Sequence, residues 1–407
     1  MLVNKQPVLL LCPSLIGAGV ERRIYLLVNQ LKQDWSHLKL GLLREEGQFL
    51  SRVDVAQRVY VPPDSFSRFF CFPLKQFQEP YYFLLAIGQI KMMQERIRPA
   101  VVMTFTLETT LPMFFARFLV SGHRPVWVIS EDSNTAVAAG NVCKFEVVNV
   151  LLKNVLGYVY RHADFITTVS STVQDSVEQQ YGIPVEKINV IHNPVDSDGI
   201  RKSADNNRPF NFEYIIAVGR LVKVKQFDLL INAFSHVYKS HAVQLVILGE
   251  GPEKKHLQQL AADLKLADVI HFPGFVNNPW VYMKYAKMLV LSSRIEGFGN
   301  VITEAMTIGC PVIATACGGP ADIIKHNSNG LIADQDALSV AHAITRLLDS
   351  PELSRSLSSQ ALLDAEKYHP IHSSACFNDM LLELLNSTNH HTTQCHKRTM
   401  LSIDNDA

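Results

Sequence analysis

The chain has no net charge. Its 38 lysines and arginines balance 38 aspartates and glutamates over 407 residues. It therefore lacks the basic field that a nucleic-acid-binding protein needs. Small basic groups, Arg22-Arg23 and Lys153 to Arg161, leave a peripheral membrane contact open, with a solvated helix face as the plain alternative. Cysteines are few and unpaired in pattern: seven, at 12, 71, 143, 310, 317, 376 and 395, with no C-x-x-C. That spacing suits a reduced, cytosolic protein better than a disulfide framework. No apolar run reaches the roughly 20 residues of a spanning helix; "YYFLLAIGQIKMM" breaks at Gln89 and Lys91. The opening "MLVNKQPVLLLCPSLIGAG" has too short an apolar run for a signal peptide and is expected to form a first strand and a glycine turn. The expected location is the cytoplasm, with the inner face of the cytoplasmic membrane kept open. There is no solenoid repeat, no long low-complexity tract and no convincing D-x-D metal pair. The "DSD" at Asp196 to Asp198 reads as turn chemistry, and no metal is expected.

The length exceeds what one hydrophobic core supports, and 47% apolar against 19% charged residues leaves material for two. Continuous apolar runs ("PVLLLC", "HLKLGLL", "AVVMTF", "VWVIS", "DFITTVS") read as strands buried on both faces. Helical patterns lie between them. In "ERRIYLLVNQL", Ile24, Leu27, Val28 and Leu31 form one apolar stripe. The alternation pauses at "NPVDSDGIRKSADNNRPF", rich in Asp, Asn and Pro, which reads as a linker. It resumes with "YIIAVGRL", a helix from about Gln226, "VQLVILGEG", "VIHFPGF", "KMLVLSS" and "PVIAT". The expected fold class is α/β, with two doubly wound Rossmann-like domains facing across a cleft. The expected division is 1–195, a linker 196–212, a second domain 213–370 and a last helix 371–386. The polar stretch 387–407 is expected to be a disordered tail; its His390, His391, Cys395 and His396 leave a metal site as the lesser alternative.

Ligands of such sheets bind beyond the carboxyl ends of strands. After "PVLLLC" comes a glycine loop entering a helix, where Gly17 and Gly19 would let amides approach an anion; a plain tight turn is the alternative. After "YIIAV" come Arg220 and Lys225, two cations suited to a diphosphate. "GEGP" and "PGF" follow later strands; "GEGPEKK" lacks the full dinucleotide fingerprint. After "KMLVLSS" comes "RIEGFG" and then a helix, "NVITEAMTIG", closed by Gly309. Glu304 lies in its first turns, the amides near Asn300 to Ile302 face outward, and Glu296 precedes it. Carboxylates of this kind accept hydrogen bonds from vicinal hydroxyls. Taken alone, Glu304 as a helix-dipole residue and Glu296 as a solvated acid also remain open.

Together, "EGFGNVITEAMTIGCPVIAT", "ACGGPADII", "VGRLVKVKQFDLLINAF", "LVILGEGPEKKHL" and "VIHFPGFVNN" resemble the retaining glycosyltransferases of family 4. Glu296 and Glu304 match that family's Glu-x7-Glu pair. The resemblance covers about Tyr214 to Leu348; in the first half it rests on "GAGVER". It implies the GT-B fold, with the last helix returning to the first domain. It also implies a metal-independent, retaining enzyme that moves a hexosyl or N-acetylhexosaminyl group. The donor would be UDP- or GDP-linked and the acceptor a glycan or lipid-linked glycan, in surface polysaccharide or lipopolysaccharide assembly, with no cofactor. By the same resemblance, Arg220 and Lys225 neutralise the diphosphate, Glu304 holds the ribose and Glu296 aligns the transferred sugar. The backbone of Gly297, Phe298, Gly299, Asn300, Val301 and Ile302 touches sugar and phosphate. Phe275 and Val276 frame the base, and Gly17 and Gly19 cap the diphosphate once the cleft closes. No protein nucleophile is implied. Two departures stand out: Asp132, in "ISEDSN", replaces a histidine that often lines the acceptor pocket, and Lys225-Gln226 replaces Lys-Gly. Asp132 is either an acceptor-side acid or a loop-capping residue. A non-catalytic nucleotide-sugar or glycan binder, and a sugar-nucleotide epimerase or hydrolase, are the alternative functions.

Overall fold

In the computed structural model the described residues are 4–16, 19–62, 78–132, 146–205 and 207–403, without the side chains of 78–80, 146–149, 151–152 and 387–403. The chain forms two compact units: residues 1–168, 174–191 and 370–407, and residues 169–173 and 192–369.

Unit 1 runs β1 (Val8–Cys12), α1 (Gly19–Leu31), β2 (Leu38–Leu42), β3 (Arg58–Tyr60), α2 (Gln78–Ile97), β4 (Val101–Thr104) and α3 (Leu107–Leu119). It continues with β5 (Val126–Glu131), α4 (Glu146–Arg161), β6 (Phe165–Thr168), α5 (Ser171–Tyr181, its residues through Val173 in unit 2) and β7 (Ile188–Val190). The seven strands form one sheet of order β3-β2-β1-β4-β5-β6-β7, parallel throughout. The strand read from "PVLLLC" is fully buried, as expected for a sheet covered on both faces. Ile24, Val28 and Leu31 of α1 are fully buried against it, and Leu27 almost so.

Unit 2 runs α6 (Ser197–Ala204), β8 (Tyr214–Val218), α7 (Phe227–Val237), β9 (Gln244–Leu248), α8 (Lys254–Asp263), β10 (Ile270–Gly274), α9 (Pro279–Tyr285) and β11 (Leu289–Leu291). Then come α10 (Asn300–Thr307), β12 (Val312–Thr315), α11 (Pro320–Ile323), β13 (Leu331–Ala333), α12 (Ala337–Asp349) and α13 (Pro351–Ala365). Its sheet has six parallel strands in the order β10-β9-β8-β11-β12-β13. The last helix, α14 (Pro370–Ile403), belongs to unit 1. Phe377 is fully buried in that unit's core, and the Trp35 indole N–H donates to Asn378 Oδ1 at 3.0 Å.

Three expectations differ from the structure. The stretch read as a linker contains α6, because Asp196 caps it, its Oδ1 accepting from the Gly199 amide at 3.0 Å, and Ile200 and Ala204 are buried. Arg22-Arg23 is not a solvated pair: Arg23 is 1% exposed, because Asp132 gives its charge a buried partner. The final helix is continuous through Ile403, past the expected start of a disordered tail at 387, and the side chains of 390–396 lie outside those described. No helix among the described residues is long and apolar enough to cross a membrane.

Candidate functional site

The strand order of unit 2 reverses between β8 and β11, which pair at Leu289 and Ile216. Chains leaving two such strands diverge to opposite sides, so a crevice opens at their carboxyl ends. The loops leaving these two strands hold Arg220 and Lys225 on one side, Glu296 and the start of α10 on the other.

Leaving β8, the chain passes exposed Arg220 and enters a 3-10 turn, Lys223–Lys225. Gln226 then adopts a left-handed conformation (φ 46°) to launch α7. Glycine is the easier residue there, so Gln226, standing where the resemblance leads one to expect glycine, holds this conformation at some strain. The turn is tied to the β11 exit: the Ser292 hydroxyl donates to Lys225 O at 2.9 Å, and the Arg294 amide to Val224 O at 2.8 Å.

Lys225 and Glu296 are brought together as an ion pair, with Nζ on Glu296 Oε2, both side chains about four-fifths buried. Ser293 Oγ donates to the same oxygen at 3.2 Å. The Glu296 backbone is fixed by the "CGGP" turn after β12. Its amide donates to Cys317 O, and its carbonyl accepts from the Gly319 amide, each at 3.0 Å. Gly319 has an ordinary φ of −45°, yet a Cβ there would lie 2.2 Å from Gly297 O. Only glycine lets the two turns approach this closely. Burial pushes the neighbouring Cys317 thiol up to about 11, so it is no nucleophile at neutral pH.

Gly299 (φ 98°) starts α10 without any side-chain cap. The amides of Asn300 and Val301 have no acceptor within the helix, and the dipole adds positive potential at this end. Phe298 is buried and its ring stacks on His192 at 5.5 Å. The Ser170 hydroxyl donates to Gly297 O at 2.6 Å, and Asn193 Nδ2 to Asn300 Oδ1 at 2.9 Å. Val301 is half-buried and Ile302 fully buried. Glu304, one turn further, is 8% exposed and accepts the Trp280 indole N–H at 2.9 Å. Phe275 and Val276 follow β10; the Phe275 ring is exposed and Val276 half-buried. The amide of Gly249, leaving β9, donates to Gly274 O at 2.8 Å, so these two exits adjoin.

In unit 1, Gly17 lies outside the described residues, and Gly19 is the exposed first residue of α1. Asp132, just past β5, is bonded to Arg23 of α1, whose Nη1 also donates to Ser130 Oγ at 3.0 Å. Among the described residues Asp132 caps no backbone. Burial pushes its carboxyl up and the Arg23 guanidinium down, while the pair opposes both shifts. Sequence reasoning missed Arg23, Trp280, Ser293, Asn193 and Gly319. Only "CGGP" and the tryptophan carried a signal, as a small-residue pair and a large ring beside strand exits.

Two protein-family models match successive parts of the chain: Glycosyltransferase Family 4 over residues 17–198 and Glycosyl transferases group 1 over 200–363. A lipopolysaccharide core biosynthesis glycosyltransferase, LpsD of Rhizobium meliloti, is 35% identical over 38% of this chain and 45% of its own length. The N-acetylgalactosamine-N,N'-diacetylbacillosaminyl-diphospho-undecaprenol 4-alpha-N-acetylgalactosaminyltransferase of Campylobacter jejuni is 28% identical over 54% of this chain and 60% of its own length. The chain thus spans about half the length of the curated relatives it matches. Among solved structures, Anabaena HepE in complex with UDP and glucose aligns with a TM-score of 0.73 at 18% identity, covering 93% of this chain and 100% of that one. Sucrose-phosphate synthase from Thermosynechococcus elongatus aligns at 0.76, also 18% identical, covering 94% and 100%. At such identities the likeness is one of fold.

Proposed function

This chain belongs to the family 4 glycosyltransferases of GT-B fold, and from that premise we propose that it moves a sugar from a nucleoside-diphosphate sugar to a glycan or lipid-linked glycan, with retention and without a metal, in surface polysaccharide assembly. The observation that carries the reading is the Lys225–Glu296 pair lying beside the uncapped start of α10 at the strand-order reversal of unit 2.

Breaking the anomeric C–O bond leaves positive charge on the sugar and negative charge on the departing diphosphate. Lys225 and the first amides of α10 are fixed donors that meet the negative charge beside exposed Arg220, and fixed donors need no reorganisation as it grows. Glu296 contacts the transferred sugar; its tie to Lys225 and Ser293 holds the carboxylate in one orientation. Glu304 accepts the ribose hydroxyls, while Phe275 and Val276 frame the base. UDP is the favoured carrier, since HepE is described with UDP and glucose. A lipid-linked acceptor accords with the diphospho-undecaprenol in the name of the Campylobacter relative.

The test incubates the full chain with a panel of UDP- and GDP-sugars and undecaprenyl-diphosphate-linked glycans, and reads the product's anomeric configuration by NMR. Transfer with retention, persisting in EDTA, is expected. Lys225→Ala should lower kcat by more than it raises the donor KM, because leaving-group charge is greatest in the transition state. Inversion, EDTA sensitivity, or an effect confined to KM would overturn the respective part of the reading.

A further inference from the structure

The helix layer of unit 1 formed by α2, α3 and α4 carries an apolar face where solvent is expected. Phe115, Phe118 and Leu119 of α3, Val155 and Tyr158 of α4 and Tyr82 of α2 are all exposed, Phe118 by 66% and Tyr158 by 53%. Ring contacts link the three helices through Phe114, which is itself buried, while the Tyr82 ring meets the Tyr81 ring at 5.9 Å. Phe83 meets Phe115 at 5.7 Å, Phe114 meets Phe115 and Phe118 at 5.3 Å each, and Phe114 meets Tyr158 at 5.9 Å. Scattered exposed apolar residues are ordinary; a contiguous aromatic patch marks a contact surface.

The charges around the patch that carry no ion pair are basic. Lys153 and Arg161 lie exposed on α4 beside Val155 and Tyr158, and Arg124 lies exposed just beyond Leu119. None of the three is ion-paired among the described residues, although Arg161 Nη1 donates to Tyr181 O at 2.9 Å, and the described side chains of α4 include no acid. The nearby carboxylate of Asp164 is already bonded to Arg117 at 2.9 Å.

We propose that this face docks unit 1 on a bilayer of anionic phospholipid, with the rings at the headgroup boundary and the three cations on lipid phosphates. Aromatic side chains favour that boundary, where one end is apolar and the other wet, and lysine and arginine near an anionic leaflet add attraction. A second copy of the chain is the poorer occupant. A two-fold interface built on this patch would bring the Lys153, Arg161 and Arg124 cations of both copies together around it. The inference rests on the reading above, in that a lipid-linked acceptor is presented at such a surface. The Phe118–Leu119 end of the patch is clear of the ligand edge: α3 follows β4, so Leu119 lies a helix length, about 18 Å, from the carboxyl end of the sheet.

The experiment is co-sedimentation of the full chain with vesicles of phosphatidylcholine alone or mixed with phosphatidylglycerol, beside transfer to a soluble glycan acceptor. Native protein should sediment with the phosphatidylglycerol vesicles and bind phosphatidylcholine weakly. Phe118→Ser/Tyr158→Ser should weaken sedimentation roughly tenfold, as loss of buried apolar contact requires, and Lys153→Glu/Arg124→Glu should abolish the lipid preference. Both variants should keep the native melting temperature and soluble-acceptor transfer. Native protein left in the supernatant, or variants that sediment like native, would overturn docking while intact transfer keeps the proposed function. A dimer in sedimentation equilibrium that Phe118→Ser/Tyr158→Ser dissolves would assign the face to a second copy and likewise overturn it. Loss of transfer in the native chain, with vesicle binding intact, would instead strike the proposed function.

Discussion

Asp132→Asn tests the buried pair of unit 1 most directly. Arg23 is 1% exposed, and its guanidinium lies between the Phe105 and Phe377 rings, 5.8 and 5.3 Å from their centroids. Its other polar partner among the described residues, Ser130, is neutral. The asparagine keeps the size of the side chain but leaves a guanidinium that stays charged and has no counter-ion. Breaking one side of such a pair costs about 3–5 kcal/mol. Glu21 acts on Asp132 through its charge, but two positions from Arg23 on α1 it points to another side of the helix. It can offset little, so a loss near 3 kcal/mol is the floor expected. For a folding unit of this size that lowers Tm by roughly 6–20 °C. Arg23→Met/Asp132→Asn removes both charges and should recover most of the loss. Calorimetric melting of the three chains measures this. A single variant within about 1 kcal/mol of native, or a double variant no better than the single, would refute the buried pair. Transfer by the folded double variant then isolates any acceptor role of Asp132. Normal donor affinity with transfer at least roughly tenfold slower would establish one.

The sheets were legible because strands buried on both faces are continuous apolar runs, and every run read as a strand is one. The strands missed, β3, β7 and β13, are three residues each and lie at sheet edges, where one side has no partner strand and the apolar pattern thins. Site residues at strand exits could be found because topology puts ligands there whatever the loop. What could not be found were contacts made across sequence. Trp280 reaches Glu304 from another helix, and Gly319 matters because Gly297 O passes 2.2 Å from where its Cβ would be. Arg23 misled for a related reason. A helix pattern marks an arginine as outward-facing unless a buried carboxylate arrives from elsewhere, and Asp132 is 109 positions away. The same separation hid α6, whose polar sequence looks like a linker until its few apolar residues are seen packed.

If Glu304 holds the ribose, Glu304→Gln should weaken UDP binding by about 1.5–3 kcal/mol, the worth of a charged hydrogen bond. Trp280→Phe should cost about 0.5–1.5 kcal/mol through loss of the bond that orients Glu304. Titration calorimetry measures both, and unchanged affinity in the glutamine variant would remove the ribose assignment. Asp322 supplies a pH test. Burial pushes its carboxyl up, but bonds from His192 and from the Ser171 hydroxyl and amide outweigh that and hold it below the ordinary 3.8. A depressed value means stability that is present above 3.8 and lost as pH falls through the folded value. The melting advantage of native protein over Asp322→Asn should therefore hold at about pH 5 and shrink in more acid solution; a constant gap would contradict it. Gly319→Ala puts a methyl against the Gly297 carbonyl and the Phe298 backbone, 2.2 and 2.7 Å away. Its φ of −45° suits alanine, so the cost is steric rather than conformational, about 1–3 kcal/mol of stability. The displaced turn is the one that fixes Glu296 and leads into α10, so donor affinity should fall along with stability. A variant that is destabilised yet binds donor normally would show that the "CGGP" turn supports the fold without positioning the donor loop.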